Sequence, residues 1–456
     1  MSLPQYPNYS DSNVDWIGLV PSHWESRPLK FFTQFVNGMA FKPADWRTEG
    51  VPIIRIENLN ESSNFNYYDG DVPERYFVQK GDLLFGWSGN KGTSFGPFLW
   101  WREGRHYLNQ HIFKLDPIEK HDKFWLYWTL KAVTKSIEDE AHGIIGMVHI
   151  TKGKLGGVKI PFIPKVEQIQ IARFLNHETS KIDALIREQE RLIALLQEKR
   201  RAVISHAVTK GLDPGVSVKD SGVEWIGEVP AHWDICPIKF LVSTPVTDGP
   251  HETPEFIDEG IPFISAEAVS QGEINFNKAK FISPHDHSRY SRKYKPKLHD
   301  IFMVKSGATT GTIAINEANT EFNIWSPLAV IRCSDIADPH YILHAMRSQN
   351  FQESIVLSWS FGTQQNIGMG VIENLPIALP PLGEQLQIKN YLNEIGVVWG
   401  SLEFEARRAI NLLKERRSAL ISAAVTGKID VRNWQPPADE SAFDKEVRQA
   451  GMEATA

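Results

Sequence analysis

The nine residues Trp16–Trp24, WIGLVPSHW, return as WIGEVPAHW at Trp225–Trp233, with seven of nine letters identical. A match this rich in tryptophan is not accidental, and an internal repeat constrains a fold more tightly than any local propensity. Further pairs follow in the same order. VPIIRIENL (Val51–Leu59) faces IPFISAEAV (Ile261–Val269), KGDLLF (Lys80–Phe85) faces LHDIFM (Leu298–Met303), and SGNKGTS (Ser88–Ser94) faces SGATTGT (Ser306–Thr312). KIPFIPKVEQIQIARFL (Lys159–Leu175) faces NLPIALPPLGEQLQIKNYL (Asn374–Leu392), and LLQEKRRAVISHAVT (Leu195–Thr209) faces LLKERRSALISAAVT (Leu412–Thr426). The offset drifts from 209 to 218 and settles at 217, as small loop insertions would make it. The ends of each unit match best and the middles diverge, so a shared frame holds two different inserts.

Within each unit a globular part precedes a helical part. Short apolar runs such as VPIIRI, DLLFGW, HIFKL, DIFMV and LAVIRC are bounded by Gly, Asn, Asp and Pro, which predicts short strands and turns. His121–Val133 and Asp338–Ser348 each predict one helix, with Phe124, Trp125, Tyr127 and Trp128 as core. The globular parts are therefore α/β or α+β. The helical parts start after PKVEQ and PPLGEQ, where proline before the helix and Glu in its first turn are start signals. Ile182, Leu185, Gln189, Leu192, Leu196, Lys199 and Val203 step by three and four, as do Ile395, Val398, Leu402, Glu405, Ala409, Leu412, Arg416 and Ala419. Such helices either dock on their own domain or pair with each other; long, narrow stripes in equivalent halves favour pairing. Gly211 and Gly427 suit helix termination. The expected boundaries are 1–165 and 213–381 for the globular domains, 166–212 and 382–432 for the helices, and 433–456 for a polar tail.

Several function classes lack their residues. A DNA-amino methyltransferase needs Pro-Pro-aromatic, and neither Pro-Pro pair here is followed by an aromatic. No Glu-x-Lys or Asp-x-Lys tripeptide supplies a nuclease metal site, no P-loop ends in Gly-Lys-Ser/Thr, and no Gly-x-Ser-x-Gly elbow occurs. HDH (His285–His287) has no second cluster at ligand spacing and reads as a surface loop. No catalytic residue and no metal site is expected. No apolar run approaches a membrane span, and MSLPQYPNYSDSN has neither a basic n-region nor an apolar h-region, so no export signal is expected. Two cysteines give no disulfide framework, so a reduced cytoplasmic setting is the default.

What remains is binding chemistry. Net charge is −6, yet Gln271–Gly307 carries eight Lys/Arg against three acids, with tyrosines interleaved in SRYSRKYKPK. A stretch like this either faces solvent or contacts a phosphate backbone. Arg289, Arg292, Lys293, Lys295 and Lys305 are its candidates, and Arg102 and Arg105 are those of the first unit. The turns SGNKGTS and SGATTGT are either tight turns or phosphate-approaching loops, which makes Asn90, Lys91, Thr93, Ser94, Thr309 and Thr310 candidates. Gln364, Gln365 and Asn366 offer amides able to read adenine edges, or else close a hydrogen-bonded loop.

The doubled order of WIG-x-VP-x-HW, GD-[LI]-LF…SG…G-T and LP-x-x-LPPLGEQ-x-x-I resembles the specificity subunit of Type I restriction-modification systems, from Trp16 to about Asp430. The first copy, IPFIPKVEQ, lacks the Pro-Pro, and the second has LHDIFM where the family favours Lys/Gly-Gly-Asp. The resemblance implies two target recognition domains, each reading half of a bipartite duplex-DNA site. It also implies two long antiparallel coiled-coil-like helices between them, related by a pseudo-twofold repeat. Those helices would dock two modification subunits, with Ile182, Leu185, Leu192, Leu196, Leu402 and Leu412 as candidate contacts. The partners would bring S-adenosylmethionine, ATP and Mg; restriction subunits would add cleavage, and this chain would bind no cofactor and no membrane. The four motif tryptophans, Trp16, Trp24, Trp225 and Trp233, are expected to pack where domain meets helix. The second reading is a self-sufficient nucleic-acid-modifying enzyme with a diverged active site.

Overall fold

Leu83–Gly86 and Ile301–Val304 are buried at every position, although side chains of a strand alternate between two faces. Each strand therefore lies between two cores. Leu83 and Phe85 join a cluster with Trp24, Phe32 and Trp125, while Leu84 joins Ile54, Trp100 and Leu108. Likewise Ile301 and Met303 pack with Trp233, Ile238 and Tyr341, while Phe302 and Val304 pack with Ile264 and Phe322. A continuous apolar run, rather than an alternating one, is what a strand covered on both faces requires.

The computed structural model describes residues 4–118, 120–140, 147–270, 273–358 and 366–437. Most of the polar tail, 438–456, lies outside them. The chain forms two units, residues 1–189 with 408–456, and residues 190–407. In the first, an antiparallel sheet runs in the order Gly96–Leu99, Leu83–Gly86, Ile112–Pro117, Thr33–Asn37. A second, mixed sheet runs Asn66–Tyr68, Val51–Ile54, His106–Leu108, Phe77–Val78, its inner pair parallel with Tyr107 opposite Ile53. The second unit repeats this plan. Ile313–Ile315, Ile301–Val304, Leu328–Ile331 and Thr247–Asp248 form one sheet. Lys280–Ile282, Ile261–Ile264 and Asn323–Ile324 form the other, with Phe263 parallel to Asn323. The common frame thus extends through the middles, where the sequences diverge. The predicted helices are present as Lys123–Glu140 and Pro339–Arg347. HDH lies on the short helix Pro284–Tyr290 instead of in a loop, and His287 Nδ1 is 2.7 Å from Asn323 Oδ1.

Two long helices, Lys165–Lys210 and Leu382–Val425, have 46 and 44 residues. At 1.5 Å per residue they are about 69 and 66 Å long. Both unit boundaries fall inside them. The first unit therefore holds the start of one helix and the end of the other: Ile171, Phe174 and Leu175 share a core with Ile421, Ala424 and Val425. The second unit mirrors this, with Ile388 and Leu392 beside Ala207 and Val208. The segments run antiparallel. Arg417 Nε donates to Asp183 Oδ1 at 2.8 Å in the first unit, and Gln197 Nε2 donates to Glu403 Oε1 at 3.1 Å in the second.

On the second helix the seam lies one residue from the expected stripe, whereas on the first helix Ile182, Gln189, Leu196 and Val203 are buried or half-buried as expected and Leu185, Leu192 and Lys199 are not. Buried or half-buried positions of the second helix include Leu392, Ile395, Trp399, Glu403, Ala406, Ile410, Leu413 and Arg417, with the expected Ala409 half-buried beside them. Val398, Leu402 and Leu412 are about half exposed, as are Leu185 and Leu192 on the first helix, where Ile182 and Ile193 are buried and Leu196 half-buried. Adjacent leucines and valines let two phases satisfy three–four spacing equally well. In the observed phase the polar pairs Asp183–Arg417 and Gln197–Glu403 meet across the seam.

Both helices end on glycine in the left-handed region, Gly211 at φ +76° and Gly427 at φ +74°. A Cβ on Gly427 would come within 2.4 Å of the Pro21 ring and one on Gly211 within 3.2 Å of Trp233. Each glycine thus lets a helix end approach the repeated tryptophan motif.

Candidate nucleic-acid interface

The repeated motifs meet at one joint in each unit. Trp24 Nε1 and the Tyr6 hydroxyl both donate to Glu167 Oε2, at 3.1 and 2.9 Å, and His23 Nε2 lies 2.8 Å from Glu167 Oε1. In the second unit Trp233 Nε1 donates to Glu384 Oε2 at 2.6 Å, and His232 Nε2 lies 3.1 Å from Glu384 Oε1. Burial, then the neighbouring Glu167 carboxylate, pushes the Tyr6 phenol well above its usual range. The next residue completes the joint. Gln168 Oε1 accepts from Asp122 N and Gln385 Oε1 from Asp338 N, each just ahead of its domain helix. Trp16 donates to Lys159 O, and Trp225 is half-buried with its carbonyl accepting from Asn350. The tryptophans therefore pack where domain meets helix. By sequence the Glu-Gln pairs read only as helix starts; their recurrence in the same order as His-Trp, at an offset of 217 against 209, is the signal that marks them as part of the joint.

Both Gly/Ser/Thr turns lie at a sheet edge beside the chain that follows the domain helix. Ser88–Asn90 pairs with Met147–His149, and Ser306 bridges to Asn366. Residues 141–146 and 359–365, which precede those partners in the chain, lie outside the described residues, Gln364 and Gln365 with them. Asn366 is exposed. The first turn is closed by its own chain. Lys91 Nζ donates to the Glu138 carbonyl and Gly92 N to Glu138 Oε1, both at 2.7 Å. Ser94 is buried and accepts from Asn90 N, and Thr93 Oγ1 donates to Asn90 O. In the second turn Thr312 N donates to Thr309 O and Thr310 Oγ1 to Gly307 O at 2.7 Å. Thr309 and Asn90 stay exposed.

Four of the eight basic residues of the stretch are paired with acids distant in sequence. Asp248, 1% exposed, takes Lys293 at 2.6 Å and Lys305 at 3.1 Å. Burial alone would raise its pKa; the two ammonium groups outweigh this and hold the carboxyl below its ordinary range. Arg289 pairs with Glu252 and Lys295 with Glu321. Arg292 is exposed and, among the described residues, makes no side-chain hydrogen bond or ion pair. In the first unit Arg102 stacks over Phe65 and Trp101 and donates to the carbonyls of Glu61 and Ser62. Arg105 lies 3.7 Å above Phe77 and pairs with Glu74 at 2.8 Å. Charge counting along the chain could not find Asp248, Glu252 and Glu321, because tertiary folding brings them in.

Comparison with known proteins agrees with this doubled frame. The family model described as Type I restriction modification DNA specificity domain matches residues 21–194 and again 234–397. The chain is similar to the Type I restriction enzyme EcoBI specificity subunit of Escherichia coli, 25% identical over 437 residues, covering 93% of this chain and 90% of the relative. It is also similar to the MjaVIII specificity subunit of Methanocaldococcus jannaschii, 24% identical over 425 residues, covering 91% and 95%. A solved chain, reported for the complex assembly and conformational transition of the type I R-M system, has the same fold. Its TM-score is 0.62 at 16% identity, covering 89% of this chain and 98% of that one. With two matched copies spanning most of its length, the chain belongs to the Type I restriction-modification DNA specificity family.

Proposed function

We propose that this specificity subunit reads a bipartite duplex-DNA target, one half-site per globular domain, within a Type I restriction-modification complex. The supporting observation is the doubled sheet plan carrying different side chains at one equivalent edge: Asn90-Lys91-Gly92-Thr93 in one unit and Ala308-Thr309-Thr310-Gly311 in the other. The long helices space the domains and dock two modification subunits. Leu185, Leu192, Leu402 and Leu412 lie off the seam and about half exposed, a placement that suits partner contact. S-adenosylmethionine, ATP and Mg enter with the modification and restriction subunits, and the assembly works in the cytoplasm. No described helix is long and apolar enough to cross a membrane.

The test is methylome sequencing of cells carrying this chain with its modification partner. A bipartite motif is expected, and replacing 213–381 by the equivalent domain of a relative should change one half-site only. Changes in both half-sites would overturn the assignment. Methyl transfer to duplex DNA by the purified chain alone would favour the self-sufficient enzyme instead.

Arg292 and Lys293 are expected to behave differently despite being neighbours. Arg292→Ala should lower the salt-dependence slope of DNA binding by roughly one, as loss of one phosphate contact does. Lys293→Ala should instead destabilise the second unit by about 1–3 kcal/mol, because buried Asp248 loses one of its two ammonium partners. That pair stabilises fully above the ordinary carboxylate range, and the contribution is lost as pH falls through the lowered pKa of Asp248. Binding and melting curves of the two variants check this; an unchanged slope for Arg292→Ala removes it from the interface.

A further inference from the structure

Three side chains from three separate elements of the second unit converge away from the recognition edge. His299 precedes strand Ile301–Val304, Glu317 follows strand Ile313–Ile315, and His340 lies in the first turn of helix Pro339–Arg347. His340 Nε2 is 2.7 Å from Glu317 Oε1, and His299 Nε2 is 3.7 Å from Glu317 Oε2. One ligand atom from each residue lies within 4.8 Å of the others, and the imidazole centroids are 5.1 Å apart. Ligand atoms sharing a tetrahedral ion at bonds of about 2.0–2.1 Å stand about 3.3 Å apart, so these atoms need only small rotations to enclose one.

The scaffold holding them is rigid. His299 has φ +67°, a left-handed conformation that is unfavourable for a non-glycine residue and persists only when its surroundings fix it. They do so here. His299 N donates to Asn316 O at 2.8 Å, and Asn316 N donates to Asp300 O at 2.9 Å. Asn316 Nδ2 donates to Lys297 O, and buried Asp300 is paired with Arg332. The residues beside two of the three ligands are thus buried and bonded to each other. The ligand side chains themselves remain open on one side, at 42%, 59% and 24% exposure for His299, Glu317 and His340. Glu317 and His340 border an open cleft of about 740 Å³, which leaves room for a fourth ligand.

We propose that His299, Glu317 and His340 form a site for a first-row divalent transition-metal ion of the Zn²⁺ class, with water in the fourth position. Two imidazoles and one carboxylate suit such an ion, whereas Mg²⁺ and Ca²⁺ prefer oxygen ligands throughout. The ion clamps the turn before one strand, the loop after another and the start of a helix. The three ligands are 18 and 23 residues apart, so no sequence motif announces them.

Untagged full-length chain, stripped with a chelator and dialysed, is titrated with Zn²⁺ by calorimetry and with Co²⁺ by visible absorption. One equivalent should bind, with cobalt d–d bands of low coordination number, a higher melting temperature, and no displacement by excess Mg²⁺. Glu317→Gln preserves shape and should weaken binding at least about tenfold, as should His340→Ala. His285→Ala, on an exposed histidine of helix Pro284–Tyr290, should leave binding unchanged. Absence of stoichiometric binding, or equal binding by Glu317→Gln and the unaltered chain, overturns the site. DNA recognition does not enter either readout.

Discussion

A chain lengthened by four residues in both long helices, near Gln189 and near Arg407, is expected to direct methylation to sites whose central gap is one or two base pairs longer. The original sites should be lost. Four residues add about 6 Å of helix, close to two base-pair rises of about 3.4 Å. They also nearly preserve the buried stripe, because four residues approximate one turn. Both helices must be lengthened together. The first unit packs Ile171 and Phe174 of one helix with Ile421 and Ala424 of the other, and the second unit packs Ala207 with Ile388 and Leu392. Each unit is therefore anchored to both helices. An insertion near Gln189 alone leaves the other helix at its old length, so the extra turn must bulge out or slip the seam. The single insertion should accordingly impair activity at every site, where the paired insertion changes the preferred gap and leaves the half-site sequences as they were. Methylome sequencing of both variants decides it. An unaltered gap with full activity in the paired variant would mean that partner subunits set the spacing.

Glu167→Ala is expected to lower the melting temperature of the first unit by roughly 6–12 °C. Removing the carboxylate leaves the Trp24 indole N–H and the Tyr6 hydroxyl, both 4% exposed, without their acceptor. Two buried donors left unsatisfied cost about 3 kcal/mol together, which at about 2–4 °C per kcal/mol gives this shift. Glu384→Ala should cost less. Its carboxylate is a third exposed and serves one deeply buried donor, Trp233 Nε1. The two losses should add, because the residues lie in different units and share no partner. Glu167→Gln keeps an acceptor oxygen and should recover part of the loss. Calorimetry of the three variants tests this, and a shift below about 1 °C for Glu167→Ala would show that the tryptophan–glutamate joint does not hold the domain to its helix.

Much of this architecture was legible in the sequence because it is written twice. Tryptophan, proline and glycine at matching places reveal the repeat without any alignment. The strand runs and helix starts follow from polarity and chain stereochemistry, which are local properties. DLLFGW and DIFMV could be recognised as strands because a strand between two cores must be apolar at every position.

Other features are decided only when distant segments meet. The seam phase was one such feature, since VVW and LL satisfy three–four spacing in two registers and the Asp183–Arg417 pair exists only once the helices are side by side. The charge of SRYSRKYKPK was another. Its local excess is positive, but Asp248, Glu252 and Glu321 fold against it, and Arg292 is left as its exposed arginine without an ion pair among the described residues. The turn SGNKGTS was a third, because Glu138 reaches it from a helix 46 residues away. By itself the sequence determined the doubled frame and its elements, which depend on short-range pattern. Only the tertiary structure decided which charges remain open and which helix faces are buried, and it alone brought His299, Glu317 and His340 together, because those properties belong to pairs of residues that the chain order keeps apart.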